Sequence, residues 1–569
     1  MRKLFCSKTV LALAFVVGMF IGTGWAFAQP WSFGIISDTQ WTVSDDGKNP
    51  NTVAADIIKQ INREFIVRGV ELVIAVGDTV DVSTQTNVDT RALFVQDLYN
   101  AGIGFYPLRG NHEAEWTGSG PEFVRVFPQT QNGLNNNTPA DINPSIIPGT
   151  DTIAPDAKVG FPFTVGSNFS SPNLTFNGVS MQGLTYSFDY NDARFVLLDQ
   201  FDNSGNTNNT TISQQQTWIT SRLSDHRRPQ HAFVFGHKGL ITENHADNLF
   251  GANPAADPSS TDAFIGSLAN NGVRYYIGGH DHMHDRTVVW TTDGTTAQVK
   301  ELICASDSSK FYTPVNPSND NKFDVPAFGH TRQIPLTQEL NRIGYYIVTV
   351  DGPRVTVDYY AVPTAQVNGL IQTTPPLTEN WQKRERFGYS LNGNEFLVAQ
   401  NQSYTDVVDS FRDTDARILN GTNNSTATDA SGRPFSKAIE TGWSPKTPGA
   451  ASDILTLWGM ASGLGSGKTD TYTLSMSYDP RCGVTQKELK SGLFGLATKD
   501  ANGDWINAVA RNFGGTGKFI LGPWSPGYGL GTYGVDPNTH TAWAVINHNS
   551  DFAVAPFTEE KNKDFERER

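Results

Sequence analysis

Five short segments of this 569-residue chain set metal-capable side chains beside tight turns. They are Ser37-Asp38-Thr39-Gln40, Gly77-Asp78-Thr79-Val80-Asp81, Gly110-Asn111-His112-Glu113, Gly236-His237 and Gly278-Gly279-His280-Asp281-His282. Oxygen and imidazole donors in this mixture suit Mn, Fe or Zn better than Ca or Mg alone. A carboxylate can bridge two cations, and two cations about 4 Å apart can hold a phosphate between them. Each segment alone has an ordinary explanation. An Asp after a strand commonly caps a turn or helix, and a single His such as His237 is commonly a hydrogen-bonded core residue. His280 and His282 are the strongest single element, because imidazoles on alternate residues at a glycine turn point into one pocket. The joint order and spacing make five coincidental turns improbable.

Such residues need a scaffold that brings their segments together, and the hydrophobic pattern describes one. Phe33–Ser37, Glu71–Val76 and Ile103–Pro107 are short apolar runs that read as buried strands. Between them, Val53, Ile57, Ile61 and Phe65 recur every four residues, and a second helix is expected over about Asp89–Asn100. Further strands are expected at 186–190, 194–199, 231–235 and 274–277, with helices at 213–225 and 261–271 between them. Strands at 343–350 and 354–360 follow. Alternating strands and helices define an α/β sheet, and each candidate segment falls just after a strand, where loops gather at one sheet edge. Residues 121–183 lose this periodicity and read as an insertion, either a lid over the site or a surface excursion. A Thr/Pro-rich linker at Thr373–Pro376 suggests a boundary after 362. Beyond it the chain is mostly strand-like, with a helical stretch expected near Thr405–Arg412, and suggests a β-sandwich of about 180 residues. Residues 559–569 are almost all charged and read as a tail.

The ordered motif set resembles that of the calcineurin-like metallophosphoesterases, including purple acid phosphatases, over roughly residues 31–360. Their pattern is Asp-x-His, Gly-Asp-x-x-Asp, Gly-Asn-His-Asp/Glu, a His after a strand, and Gly-His-x-His. The resemblance implies a four-layer αββα sandwich with two metal ions, Mn, Fe or Zn, at the strand ends. It implies that Asp78 bridges both metals, that Asp38 and His282 bind one, and that Asn111, His237 and His280 bind the other. His112 becomes the general acid or charge stabiliser near the leaving oxygen, Asp81 orients His112, and Glu113 orders the loop. The substrate implied is a phosphate mono- or diester, cleaved without a covalent enzyme intermediate. Gln40 departs from the pattern, which usually has His there. Either its amide oxygen substitutes as a ligand, or Asp38, Asp78, His282 and water hold that metal. Lys238 is a candidate for substrate phosphate or a solvated lysine; Trp41, Trp116 and His284 are near enough in sequence to line the pocket.

A competing reading is a non-catalytic surface or binding protein on a degenerate scaffold, with Gln40 as its first loss. The presence of both His112 and Asp81 argues against that decay. A metallopeptidase is disfavoured because the chain has no His-Glu-x-x-His stretch.

Composition sets the remaining bounds. The length implies two or three domains. Arg2, Lys3 and Lys8, an apolar run from Val10 to Ile21 and Ala26-Phe27-Ala28 read as a signal peptide cleaved after Ala28. The expected organisation is a signal peptide at 1–28, a metallophosphoesterase domain at 29–362, a β-rich accessory domain at 363–558, and the tail. Export to the periplasm or exterior is expected, with no later segment apolar enough to span a bilayer. The net charge is −14 before that basic segment is removed, which argues against general nucleic-acid binding. Export would allow Cys304 and Cys482 to pair, and two separate thiols is the equal alternative. Nothing in the sequence reads out an oligomeric state.

Overall fold

The structure is a computed structural model that describes residues 29–40, 54–138, 160, 165–225, 230–252, 257–308, 310–314, 332–363, 366–367, 370–371, 380–391, 395–405, 407–408, 414–426, 428, 435–460 and 467–557. The expected signal peptide, the charged tail, the Thr373–Pro376 linker and Trp41 lie outside the described residues.

The first strands are β1 (Trp31–Ile36), β2 (Leu72–Val76), β3 (Gly104–Leu108), β4 (Ser167–Ser170), β5 (Thr175–Phe176), β6 (Val179–Ser180), β7 (Tyr186–Tyr190) and β8 (Ala193–Leu198). Then come β9 (His231–Gly236), β10 (Tyr275–Gly278), β11 (His284–Trp290), β12 (Gln298–Ile303), β13 (Gln333–Glu339), β14 (Arg342–Asp351) and β15 (Arg354–Pro363). One six-stranded sheet has the order Gln382–Ser390, β15, β14, β1, β2, β3. An eight-stranded sheet has the order β13, β11, β12, β10, β9, β8, β7, β4. The central strands β1–β2–β3 and β8–β9–β10–β12 run parallel, so their C-terminal ends gather at one edge of each sheet.

Burial on both faces explains the sequence of these strands. All five residues of β2, Leu-Val-Ile-Ala-Val, are buried, as expected for parallel strands covered on both sides. The sheets face each other across an aromatic layer in which Phe33 meets Phe195 and Phe233 edge-on, each at 5.0 Å between ring centroids. Helix Ala54–Arg68 covers the outside of the first sheet. Gly34 permits that packing, since a Cβ there would lie 2.5 Å from the Phe65 ring. Helices Ile212–Ser224 and Pro258–Asn270 cover the outside of the second sheet through Ile219, Leu223, Phe264 and Leu268. The result is the expected four-layer αββα architecture.

The C-terminal region forms two further six-stranded sheets around one core. Three expectations change here. The strand Gln382–Ser390 pairs along β15 and completes the first sheet, so a boundary after 362 falls inside that sheet. Of the helix expected near Thr405–Arg412, residues 406 and 409–412 lie outside the described residues; Val407–Val408 is a short strand on Ala416–Arg417. Much of 121–183 is packed structure. Phe123 and Phe127 join the core, and β4 forms the edge of the second sheet. A lid formed by residues 139–159 and 161–164 would lie outside the described residues. The two cysteines are separate thiols, Cys304 buried and Cys482 exposed. Among the described residues, no helix is long and apolar enough to cross a membrane.

Candidate metal centre

All five segments meet where the parallel strands of the two sheets end. Asp38 and Gln40 follow β1, Asp78 follows β2, and Asn111 and His112 follow β3. From the facing sheet, His237 follows β9, and His280 and His282 follow β10. The chain turns sharply there. Among the described residues, twelve non-glycine residues have positive φ; six are Asn, and five of the other six are Asp38, Gln40, Asp78, His280 and His282. Asn tolerates this region well, whereas each of these five holds a conformation costing on the order of 1–3 kcal/mol that concentrates at functional sites. Gly110 makes room for the turn after β2, since a Cβ on it would lie 2.0 Å from Asp78 Oδ1.

The donors form two groups that share one residue. Single ligand atoms of Asp78, His237 and His280 lie within 4.8 Å of one another, and so do those of Asp38, Asp78 and His282. Asn111 joins the first group, with Oδ1 2.9 Å from His237 Nε2. Backbone carbonyls set two of the imidazoles. His237 Nδ1 donates to Val76 O at 2.9 Å, and His282 Nδ1 donates to Lys310 O at 3.0 Å. Each leaves Nε2 facing a carboxylate, Asp78 at 3.3 Å and Asp38 at 3.3 Å. This tautomer presents a lone pair to a cation. Gln40 is buried beside them, and neither atom of its amide has a hydrogen-bond partner. Buried polar groups are rarely left unpaired. An orphaned amide among convergent carboxylates and imidazoles fits a pair of cations.

Electrostatics matches this geometry. Burial works to raise the Asp78 carboxyl, but His237 and His112 hold it well below the usual carboxylate range. Burial disfavours charge on His237 too, yet Asp78 lifts its pKa to about 9. His280 is pulled down to about 4 by burial, only partly offset by Asp247.

His112 stands at the side of this cluster. Its backbone N–H donates to Asp78 Oδ1 at 2.9 Å, and its Nε2 lies 3.8 Å from Asp78 Oδ2. Asp81 lies beside it, but contacts it differently from the expected carboxylate–imidazole bond. The Asp81 carbonyl accepts from His112 Nδ1 at 2.6 Å, while its carboxylate is 3.7 Å away and paired with Lys310. Glu113 is fully buried. Its Oε2 accepts from the N–H groups of Asp78 (3.1 Å) and Gly110 (2.7 Å), and its Oε1 from Val80 N (2.9 Å) and Thr79 Oγ1 (2.9 Å). It ties the β2 and β3 loops together. Glu113→Ala strands these donors at about 1–3 kcal/mol each, so a loss of about 3 kcal/mol or more is expected by chemical denaturation of the metal-free protein.

Other sequence candidates resolve differently. Lys238 does not face substrate; it is buried and ion-paired to Asp247. His284 lies behind the site, between Tyr346 Oη (2.9 Å) and Glu385 (2.7 Å). Trp116 is half-buried just past the Asn111–Ala114 helix. Sequence reading missed His245 and Tyr312. The His245 ring stacks on His280 at 3.9 Å between centroids, and Asp281 Oδ1 holds its Nδ1 at 2.7 Å. Tyr312 packs against both His245 (4.9 Å) and His282 (4.6 Å). Neither sits in a glycine turn after a strand, the one signal that marked the candidate ligands.

Residues 32–284 match the family model described as calcineurin-like phosphoesterase. The chain has no match among curated proteins. Among solved structures it is similar to GAP50, the anchor in the inner membrane complex of Plasmodium, at 14% identity and TM-score 0.33, covering 62% of this chain and 91% of that one. It is also similar to PhoD at 13% identity and TM-score 0.36, covering 64% and 70%. The purple acid phosphatase PPD1 from yellow lupin (Lupinus luteus) seeds matches at 14% identity and TM-score 0.35, covering 64% of this chain and 54% of its own length.

Proposed function

We propose that this chain is an exported phosphoesterase that hydrolyses phosphate mono- or diesters at a dinuclear metal site. The observation that supports it most is Asp78, shared by two buried ligand groups, with His112 held at their side. In this reading Asp38, Asp78 and His282 hold one cation, with Gln40 able to add its amide oxygen. Asp78, Asn111, His237 and His280 hold the other. Bound there, the two cations neutralise phosphoryl oxygens and make a water nucleophilic near neutral pH.

The chain's own residues do the rest. Val76 O and Lys310 O fix the tautomers of His237 and His282, so both rings bind without reorganising. The Asp81 carbonyl fixes His112 Nδ1 and leaves its Nε2 beside Asp78 as the position from which a proton reaches the departing alcohol. Burial disfavours the charged ring, but Asp78 and the Asp81 carbonyl raise the His112 pKa above its ordinary value, which keeps a proton available. This support of the proton donor favours an enzyme over a degenerate scaffold.

The test is turnover of 4-nitrophenyl phosphate and bis(4-nitrophenyl) phosphate after loading with Mn, Fe or Zn. Absence of both activities at full occupancy would remove this reading for simple esters. His112→Ala is expected to lower kcat about 10²–10⁴-fold on an alkyl phosphate, and much less on the aryl ester, whose leaving group needs no proton. Equal losses on both esters would assign His112 to binding instead. His245→Ala, measured alongside, shows whether the second imidazole shares the role. Export predicts that the mature protein begins at Gln29, which N-terminal sequencing checks.

A further inference from the structure

His280 differs from the other two candidate imidazole ligands in what stands behind it. His237 and His282 each rest on a backbone carbonyl, an acceptor fixed by the fold. His280 Nε2 has no such carbonyl partner; the carboxylate of Asp247 faces it, with Oδ1 at 3.6 Å. The other oxygen of Asp247 pairs with Lys238 Nζ. Lys238 is buried, donates to Thr207 O at 2.9 Å, and lies 5.5 Å from the centre of the Phe201 ring. Lys238 directly follows His237 at the end of β9, so one turn supplies both a ligand of this metal and the cation that anchors the carboxylate behind another.

We infer that Asp247, anchored by the buried Lys238, is a positioning residue that holds the His280 ring with Nδ1 turned inward for the metal shared by Asp78, Asn111 and His237. This rests on the dinuclear reading above and goes beyond it. The reasoning is geometric. Unlike the carboxylates facing His237 and His282, Asp247 lies outside both ligand groups, so Nε2–H points to Asp247 and Nδ1 is left as the lone-pair donor. A carboxylate behind a ligating imidazole also makes it a stronger donor than a carbonyl does. Asp247 is only partly exposed, and pairing with Lys238 offsets the cost of drawing its carboxylate out of water. The stacked His245 ring closes the remaining side of His280 and limits its rotation.

Loss of such a partner weakens metal binding about 10–100-fold, and here the loss should fall on one metal of the two. The experiment titrates metal-free protein with Mn and counts bound ions. Wild type is expected to bind two per chain. Asp247→Asn keeps an oxygen for Lys238 but leaves its charge unbalanced, whereas the Asp247→Ala/Lys238→Met double variant removes both charges together and leaves no uncompensated ion. Both are expected to retain one Mn at concentrations where wild type holds two. The metal-free double variant should melt close to the wild-type value, and Asp247→Glu should keep more of the affinity than Asp247→Asn. Two undiminished affinities in both variants, or equal weakening of both sites, would overturn the assignment. Failure of wild type to bind a second Mn would instead count against the dinuclear reading itself.

Discussion

Asp78→Asn is expected to abolish turnover while leaving the protein folded. In the dinuclear reading Asp78 is the only residue in both ligand groups found among the described residues, so its substitution would remove the one carboxylate available to both cations. An amide carries no charge and offers a single oxygen, a poor bridge between two cations. Loss of the pair also removes the nucleophile and the charge stabilisation of the phosphoryl group, which metal catalysis supplies together. A fall in kcat/KM of at least about 10³-fold is expected, comparable to removing a major electrostatic stabiliser. The fold should survive for local reasons. Asn has the volume of Asp, and its Oδ1 can still accept from the His112 N–H. The Asp78 N–H remains bonded to Glu113. Circular dichroism, bound-metal counting and kinetics on one preparation separate these effects. Full turnover by this variant would show that Asp78 does not bridge.

A chain ending at Val362 is expected to fail to fold. Such a chain loses the strand Gln382–Ser390, and with it Phe387 and Tyr389 from the core between the sheets. It also loses Glu385, which binds His284 at 2.7 Å and Arg286 at 2.7 Å. Lys300 on β12 is deeply buried, and its partner Glu440 comes from the C-terminal region. Glu440 also accepts from Tyr275 Oη at 2.5 Å. Breaking one buried ion pair from one side costs about 3–5 kcal/mol, a large part of the stability of an ordinary domain. A chain ending at Leu391 restores the strand but still takes Glu440 away from Lys300. It is expected to be soluble and to melt well below full length, and Lys300→Met in that shortened chain should recover part of the loss. A folded, active chain ending at Val362 would show that the C-terminal region is a mere accessory.

The chemistry was legible in the sequence because it depends on local order. Each candidate ligand follows a strand directly, and a glycine or short polar turn marks the place, so residue type and spacing singled out Asp38, Asp78, Asn111, His237, His280 and His282 without any knowledge of distance. The strands themselves were visible because burial on both faces demands unbroken apolar runs such as Leu72–Val76. The sequence could also show that Gln40 breaks the pattern.

Tertiary structure alone decided what lies between these segments. That Asp78 is shared follows from two sheets facing each other, with β2 on one and β9 and β10 on the other. That Asp81 holds His112 by its carbonyl and not its carboxylate depends on which way one loop turns, and residue type cannot report that. His245, Asp247 and Tyr312 reach the metal centre from loops with no repeated pattern. The strand Gln382–Ser390 was hidden because a sheet edge is completed by hydrogen bonds across the chain, while a linker is judged only by its composition. Local rules marked the candidate ligands; long-range packing set their arrangement, their tautomers and the region that supports them.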